Sequence, residues 1–236
     1  MNRGVDLQVR VPNDDLKTAA IAPMFPVPMT IERRELLADV AVHALGLALG
    51  AAGVVAMLAV VSQSSVYGQL LPVTVYLAGL LAMLGCSAVY NVWRSCRRRD
   101  WLRRLDHAAI FIMIAGTYTP LTLRLPEGWA FGLTLGVWIA ALVGVAIKLF
   151  QPRRVETFSV ALYLALGWVG VIAAEPLLAS LDRATLVLLL TGGVVYSVGV
   201  VFHLAARWPY ARALWHGCVV IAATIHYAAI MTLLQA

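Results

Sequence analysis

Seven long apolar stretches dominate the sequence and limit what the chain can fold into. They run approximately over residues 36–62, 69–94, 105–123, 129–149, 157–179, 184–205 and 213–234. About 20 helical residues, at a rise of 1.5 Å each, cross a hydrocarbon core roughly 30 Å thick. Backbone groups in lipid must be paired within their own segment, and the alternation of a barrel is not visible. The sequence therefore predicts an all-α fold, a bundle of seven transmembrane helices.

The composition agrees with a lipid environment. Apolar residues make up 61% of the 236 residues and charged residues only 13%, whereas soluble domains are about half apolar and a quarter charged. The net charge of +6 would suit nucleic acid on a soluble domain. Here the basic residues lie in short segments between apolar stretches, where they act as topology signals. We therefore expect membrane lipids, and no nucleic acid, as partners.

Lysine and arginine are distributed unevenly between the two sides of the predicted bundle. If the N-terminus lies inside, all but two of the 18 basic residues fall in inner segments, and only Arg124 and Arg183 fall in outer ones. The positive-inside rule then predicts a cytoplasmic N-terminus, and an odd number of spans puts the C-terminus outside. Residues 1–31 are predicted to be a flexible cytoplasmic tail, and residues 32–236 the transmembrane domain of a multi-pass plasma-membrane protein.

The first apolar stretch carries three ionisable residues, Glu35, Asp39 and His43. Each costs about 2.5–3.5 kcal/mol at the centre of a bilayer on insertion scales, so such residues are candidates for function. Their spacing of four residues keeps them on one face of a helix. They are interpreted as a polar stripe that faces the interior of the bundle, the alternative being interfacial residues that cap the helix.

Further polar residues occur at a similar depth in other stretches. Ser87 and Asn91 share a face in the cytoplasmic half of the second stretch, where such residues also serve as ordinary contacts between helices. Asp106 lies in the first turn of the third, where the helix dipole favours a carboxylate. Arg212 and His216 lie four residues apart at the start of the seventh. Their matched depth predicts one polar cavity that opens to the cytoplasm.

These residues resemble the motifs of the hemolysin III group of the progestin and adipoQ receptor family. The resemblance spans the whole membrane region and predicts its seven helices and cytoplasmic N-terminus. The matching segments are Glu35-x-x-Ala38-Asp39-x-x-x-His43-x-x-Gly46, Ser87-x-x-Tyr90-Asn91, Leu105-Asp106-His107, Ile114-Ala115-Gly116-Thr117-Tyr118-Thr119-Pro120, Gly192-Gly193-x-x-Tyr196-x-x-Gly199, Trp215-His216 and His226. The family usually carries asparagine where Asp39 stands.

The resemblance also implies a zinc site, from which this chain departs. Characterised relatives hold zinc through one histidine of the second helix and two of the seventh, while an aspartate of the third holds a zinc-bound water. The corresponding residues here are Asn91, Arg212, His216 and Asp106. Arginine cannot ligate a cation and repels it, so no metal is expected in the family geometry and no cofactor is expected. Our hypothesis is that Arg212 replaces the ion by pairing with Asp106.

Three functions follow from the sequence. The degenerate site favours a non-catalytic or weakly active hemolysin III-like protein that senses or maintains membrane lipid properties. One alternative is a metal-dependent, ceramidase-like lipid amide hydrolase, with Asp106 or His216 as the catalytic candidate. Another is a transporter or channel, in which Asp39 with His43 and Asp106 with His107 relay protons, although neither inverted repeats nor a pair of discontinuous helices stand out.

Overall fold

The computed structural model describes residues 30–63, 67–93, 97–150, 156–205 and 207–235, and the regular structure in these ranges is entirely helical. The helices are α1 (Ile31–Gln63), α2 (Leu70–Val92), α3 (Arg99–Thr122), α4 (Glu127–Phe150), α5 (Glu156–Trp168), α6 (Ala174–Ser180), α7 (Arg183–Leu204) and α8 (Ala211–Gln235). Two 3₁₀ segments, Tyr67–Gln69 and Val169–Ala173, precede α2 and α6. The all-α prediction is confirmed. The predicted tail lies outside the described residues apart from its last two.

Six helical runs in the described chain are long and apolar enough to cross a membrane. They are Ile31–Gln63, Leu70–Val92, Glu127–Phe150, Phe158–Ser180, Arg183–Leu204 and Ala211–Gln235. The predicted third stretch, residues 105–123, is also a helix, α3, but it is not among them. Its first two turns include Arg103, Arg104 and Asp106, which lower its mean hydropathy. The structure thus shows six candidate spans where the apolar stretches predicted seven.

The fifth stretch is not one regular helix. The 3₁₀ segment Val169–Ala173 separates α5 from α6 within the span Phe158–Ser180. The phenol of Tyr118, on α3, bonds at this break: it donates to the carbonyl of Gly167 at 2.8 Å and accepts from the N–H of Gly170 at 2.8 Å. One side chain therefore pairs two backbone groups at the interruption, as lipid surroundings require.

Glycines allow α2 and α3 to pack with their backbones in contact. A Cβ atom on Gly79 would lie 3.2 Å from the carbonyl oxygen of Ile112, and one on Gly116 would lie 3.2 Å from that of Val75. Close backbone approach through small residues is the usual way in which transmembrane helices associate, because lipid supplies little hydrophobic driving force. This contact fixes α3 against α2 along the middle of both helices.

Glycines of α7 likewise receive side chains of α8. A Cβ atom on Gly192 would lie only 2.2 Å from Cδ2 of His226, and one on Gly199 would lie 2.9 Å from Cβ of Cys218. The Nε2 atom of His226 donates to the carbonyl of Leu189 at 3.1 Å. The polar ring of His226 therefore has a hydrogen-bond partner on α7, where it packs against that helix. The deep histidine of α8 is therefore a packing element between two helices.

Candidate functional site: a polar cavity within the bundle

A cavity of about 520 Å³ lies among the helices and receives residues from α1, α2, α3, α4, α5, α7 and α8. Its lining changes in character along the helices. On α3, Asp106 and His107 are followed two turns later by Met113 and Ile114. On α8, His216 is followed by Val219 and Val220. The cavity therefore has a polar end and an apolar end.

A cluster of three side chains lies at the polar end, and we call Asp39, His43 and His216 the Asp–His–His group. Oδ1 of Asp39 is 2.6 Å from Nδ1 of His216 and 3.7 Å from Nδ1 of His43. The two histidine rings meet edge to face with centroids 4.4 Å apart. Asp39 is only 2% exposed. The group joins α1 to α8 through a carboxylate that is shielded from solvent.

The orientation of His43 follows from its neighbours. Its Nδ1 lies 2.7 Å from the backbone carbonyl of Asp39, one turn earlier in α1. A carbonyl can only accept, so Nδ1 carries the proton in this contact. The other nitrogen, Nε2, is 3.3 Å from Oγ of Ser87 on α2. In the neutral ring, Nε2 thus presents its lone pair toward the cavity wall formed by α2.

Ser87 extends this contact to two further residues. Asn91 donates from Nδ2 to the Ser87 carbonyl at 3.0 Å and lies 3.3 Å from the Ser87 hydroxyl. The carboxylate of Asp106, on α3, lies beside this hydroxyl and lines the same cavity. Hydrogen bonds therefore link polar groups of α1 to those of α2 and α8 at the polar end, and Asp106 of α3 lies next to them.

The predicted cavity residues separate into three positions. Six line the cavity, namely His43, Ser87, Asn91, Asp106, Arg212 and His216. Asp39 lies behind the two histidines. Glu35 belongs to another contact, since its Oε1 accepts from the backbone N–H of Tyr210 at 3.1 Å. Tyr210 has a positive φ of 59° just before α8, so Glu35 holds the chain at the start of that helix.

The hypothesised pair of Arg212 and Asp106 is not formed. The ion pairs found at the polar end of the described bundle join Asp39 to the two histidines, and none joins Arg212 to Asp106. Arg212 lies on the exposed side of the first turn of α8, while Asp106 lies next to Ser87 on the cavity wall.

The donor set at the three family positions for zinc does not suit the ion. Asn91 turns its amide N–H toward its own helix, where it donates to the carbonyl of Ser87. Arg212 brings a permanent positive charge with five donors and no acceptor. Only His216 offers a ligand atom there, whereas zinc sites use three or four protein ligands. Zinc bound in the family geometry is therefore not supported by these residues.

The sequence reasoning missed several basic residues of the polar end. Lys148, in the last turn of α4, was interpreted only as a topology signal, yet it is 2% exposed and lines the cavity. Arg99, Arg103 and His203 line it as well. The available signal was weak: Lys148 interrupts an otherwise apolar run before the basic loop. Which way a residue at a helix end faces depends on the rotation of the helix.

The sequence of the chain is similar to those of known proteins. A family model described as Haemolysin-III related matches residues 33–227. The chain is 33% identical over 187 residues to the hemolysin-3 homolog of Bacillus subtilis (strain 168), covering 79% of this chain and 88% of that protein. It is 32% identical over 191 residues to hemolysin-3 of Bacillus cereus, covering 80% and 86%. It is 28% identical over 164 residues to the monocyte to macrophage differentiation factor of Homo sapiens, covering 66% and 67%.

Proposed function

The chain belongs to the haemolysin III-related family of multi-pass membrane proteins, and on that premise we propose that it binds a membrane lipid in its cavity. Through this binding, the protein senses or maintains lipid properties of the plasma membrane and does not act as a catalyst. The observation that carries the proposal is the amphipathic lining of that cavity. A volume of about 520 Å³ falls in the range of sites for small organic ligands, roughly 300–1,000 Å³. A headgroup fits the polar end, and part of an acyl chain fits the apolar end.

The charges at the polar end favour a headgroup with negative charge. Among the described lining residues the acidic side chain is Asp106, while the basic ones are Arg99, Arg103, Lys148 and Arg212. The excess is positive, and Lys148 is only 2% exposed, so its charge acts more strongly than it would in bulk water. Zwitterionic or neutral headgroups lack the charge to balance this end.

Filling the cavity tests the proposal. Val200 lines the cavity, whereas its neighbour Val201 is 54% exposed on the outer side of α7. We expect Val200→Trp to lower the amount of lipid that co-purifies per chain several-fold, because the indole occupies cavity space that the lipid needs. The Val201→Trp variant, with the same added volume on the same helix, should retain the wild-type amount. The measurement is mass spectrometry of lipid extracts from purified protein, with melting temperatures measured in parallel.

Equal lipid content in the two tryptophan variants, both folded, would show that the lipid does not sit in the cavity. Loss of lipid from both would indicate that the lipid is held on the outer surface of α7. A specific loss in Val200→Trp supports the cavity as the binding site. The headgroups of the retained lipid then test the charge argument, since neutral lipids alone would contradict it.

We further propose that α3 is a seventh crossing, with the N-terminus in the cytoplasm and the C-terminus outside. The 24 residues of α3 span about 36 Å, which exceeds the hydrocarbon thickness. Its backbone contacts the candidate span α2 at Gly79 and Gly116, and its Phe111 packs on Gly144 of the candidate span α4. A helix flanked by two spans along its length lies at their depth, with its charged first turns at the interface.

Reporter fusions test this topology. With seven crossings and a cytoplasmic N-terminus, the C-terminus lies outside. Alkaline phosphatase fused after Gln235 should then be active, and green fluorescent protein fused there should not fluoresce. Fusions after Phe150, which follows α4, should give the reverse. If α3 does not cross, both positions change sides. Fluorescence at the C-terminus together with active phosphatase after Phe150 would therefore overturn the proposed topology of seven crossings with a cytoplasmic N-terminus.

A further inference from the structure

We propose that the Asp–His–His group binds one divalent transition-metal ion, preferably zinc, at a position other than the one that the family's zinc ligands define. Asp39 and His43 come from α1 and His216 from α8. One ligand atom of each residue lies within 4.8 Å of the others. Donors at about 2.0–2.2 Å from a tetrahedral zinc ion lie roughly 3–4 Å apart. Side-chain rotations that open the 2.6 Å contact between Oδ1 of Asp39 and Nδ1 of His216 would let the three residues surround an ion.

The backbone arrangement suits ligation. Asp39 and His43 are four residues apart, which places their side chains on the same face of α1. The contact between Nδ1 of His43 and the Asp39 carbonyl, at 2.7 Å, leaves Nε2 as the nitrogen that can ligate an ion, in exchange for its 3.3 Å contact with the Ser87 hydroxyl. A ligating histidine whose second nitrogen donates to a carbonyl is the usual outer-shell arrangement of metal sites. Its orientation is thus set before an ion binds.

The charge of the group also favours a cation. The side chain of Asp39 is 3% exposed and that of His216 is 11% exposed, so a carboxylate is held with little solvent. Two neutral imidazoles and one carboxylate match the nitrogen and oxygen donors that zinc prefers, with a fourth position left for water or another ligand. Arg212 stands on the exposed side of α8 and is not part of the group. The two histidines line the cavity, so a bound lipid headgroup can reach the ion.

Metal content of tag-free protein tests the proposal directly. We expect elemental analysis of wild-type protein, purified with added zinc and then dialysed, to give one zinc per chain. The near-isosteric variants Asp39→Asn, His43→Gln and His216→Gln should each lose most of it. Changes to the outer-shell partners of metal ligands weaken metal binding roughly ten- to hundredfold. Loss of a ligand itself should weaken the binding at least as much. The matched controls are Asp106→Asn and His203→Gln, whose side chains line the same cavity outside the group and which should keep the ion.

A second measurement uses wild-type protein alone and does not depend on how the variants fold. Metal-stripped wild-type protein titrated with zinc should melt at rising temperatures, because an ion that binds only the folded state stabilises it. No zinc in wild-type protein and no shift on titration would overturn the proposal. Zinc that persists in Asp39→Asn but is lost in Asp106→Asn would overturn it as well, since the ion would then lie beside α3.

Discussion

The variant Tyr118→Phe should unfold more readily than any other single hydroxyl deletion in the described bundle. It leaves the N–H of Gly170 and the carbonyl of Gly167 without their shared partner at the break between α5 and α6. An unpaired buried backbone group costs about 1–3 kcal/mol, and lipid cannot replace the lost bonds. The expected loss is therefore roughly 2–6 kcal/mol in the free energy of unfolding, measured by denaturant titration in detergent micelles.

Tyr163→Phe is the matched control for this prediction. Its hydroxyl makes one bond, to the carbonyl of His107 at 3.0 Å, which lies within the regular helix α3. That carbonyl has its helical partner in addition, so the expected loss is about 1 kcal/mol. Equal losses in the two variants would contradict the role that we assign to Tyr118. A straight fifth helix in an experimental structure of Tyr118→Phe would show that the tyrosine imposes the break rather than pairing it.

The second large effect is expected at the contact between α7 and α8. In Gly192→Ala the new methyl group would lie 2.2 Å from Cδ2 of His226, so the ring must move and lose its bond to Leu189. Overpacking of this kind costs about 1–3 kcal/mol. Gly136→Ala on α4, where nothing lies within 4 Å of the new atom, should be neutral or stabilising by up to about 1 kcal/mol, the helix-propensity difference. Melting temperatures compare the two.

A double-mutant cycle makes this prediction specific. His226→Ala removes the ring that the new methyl group meets, so Gly192→Ala should cost much less in that background than in the wild type. Residues in contact typically show interaction energies of about 0.5–3 kcal/mol. Additive effects of the two substitutions would mean that Gly192 acts through some other contact, and the packing argument would then be wrong.

Hydrophobicity alone predicted where the helices lie, because each apolar run is long and its ends are marked by charges. It did not predict the interruption after Trp168, although Pro176 in the first turn of α6 is a local signal, because proline lacks an N–H and clashes with the carbonyl four residues earlier. The local pattern also does not show which group pairs the backbone at the break, since Tyr118 is 49 residues from Gly167. Likewise, the average hydropathy of α3 is low because of the charged residues in its first turns and the threonines near its end, which is why a count of apolar helices stops at six.

The candidate site was predictable in its depth but not in its contacts. Depth follows from the position of a residue along its helix, and the sequence placed Ser87, Asn91 and Asp106 at one level. Contacts depend on how each helix is rotated about its axis. Rotation of α1 and α8 brings Asp39 to His216 at 2.6 Å, whereas the sequence suggested a pair between Arg212 and Asp106. A single chain carries too little information to fix that rotation.

The Tyr118 phenol has a consequence for how a ligand could enter. One oxygen atom holds both sides of the break after α5, so displacing this crossing from α3 requires two hydrogen bonds to rupture together. The connection to α7 includes the single bond from the indole of Trp168 to the hydroxyl of Ser197, at 3.1 Å. Separation of α5 from α7 would break fewer of these hydrogen bonds than separation of α5 from α3, which makes the seam between α5 and α7 the easier of the two for an acyl chain to part.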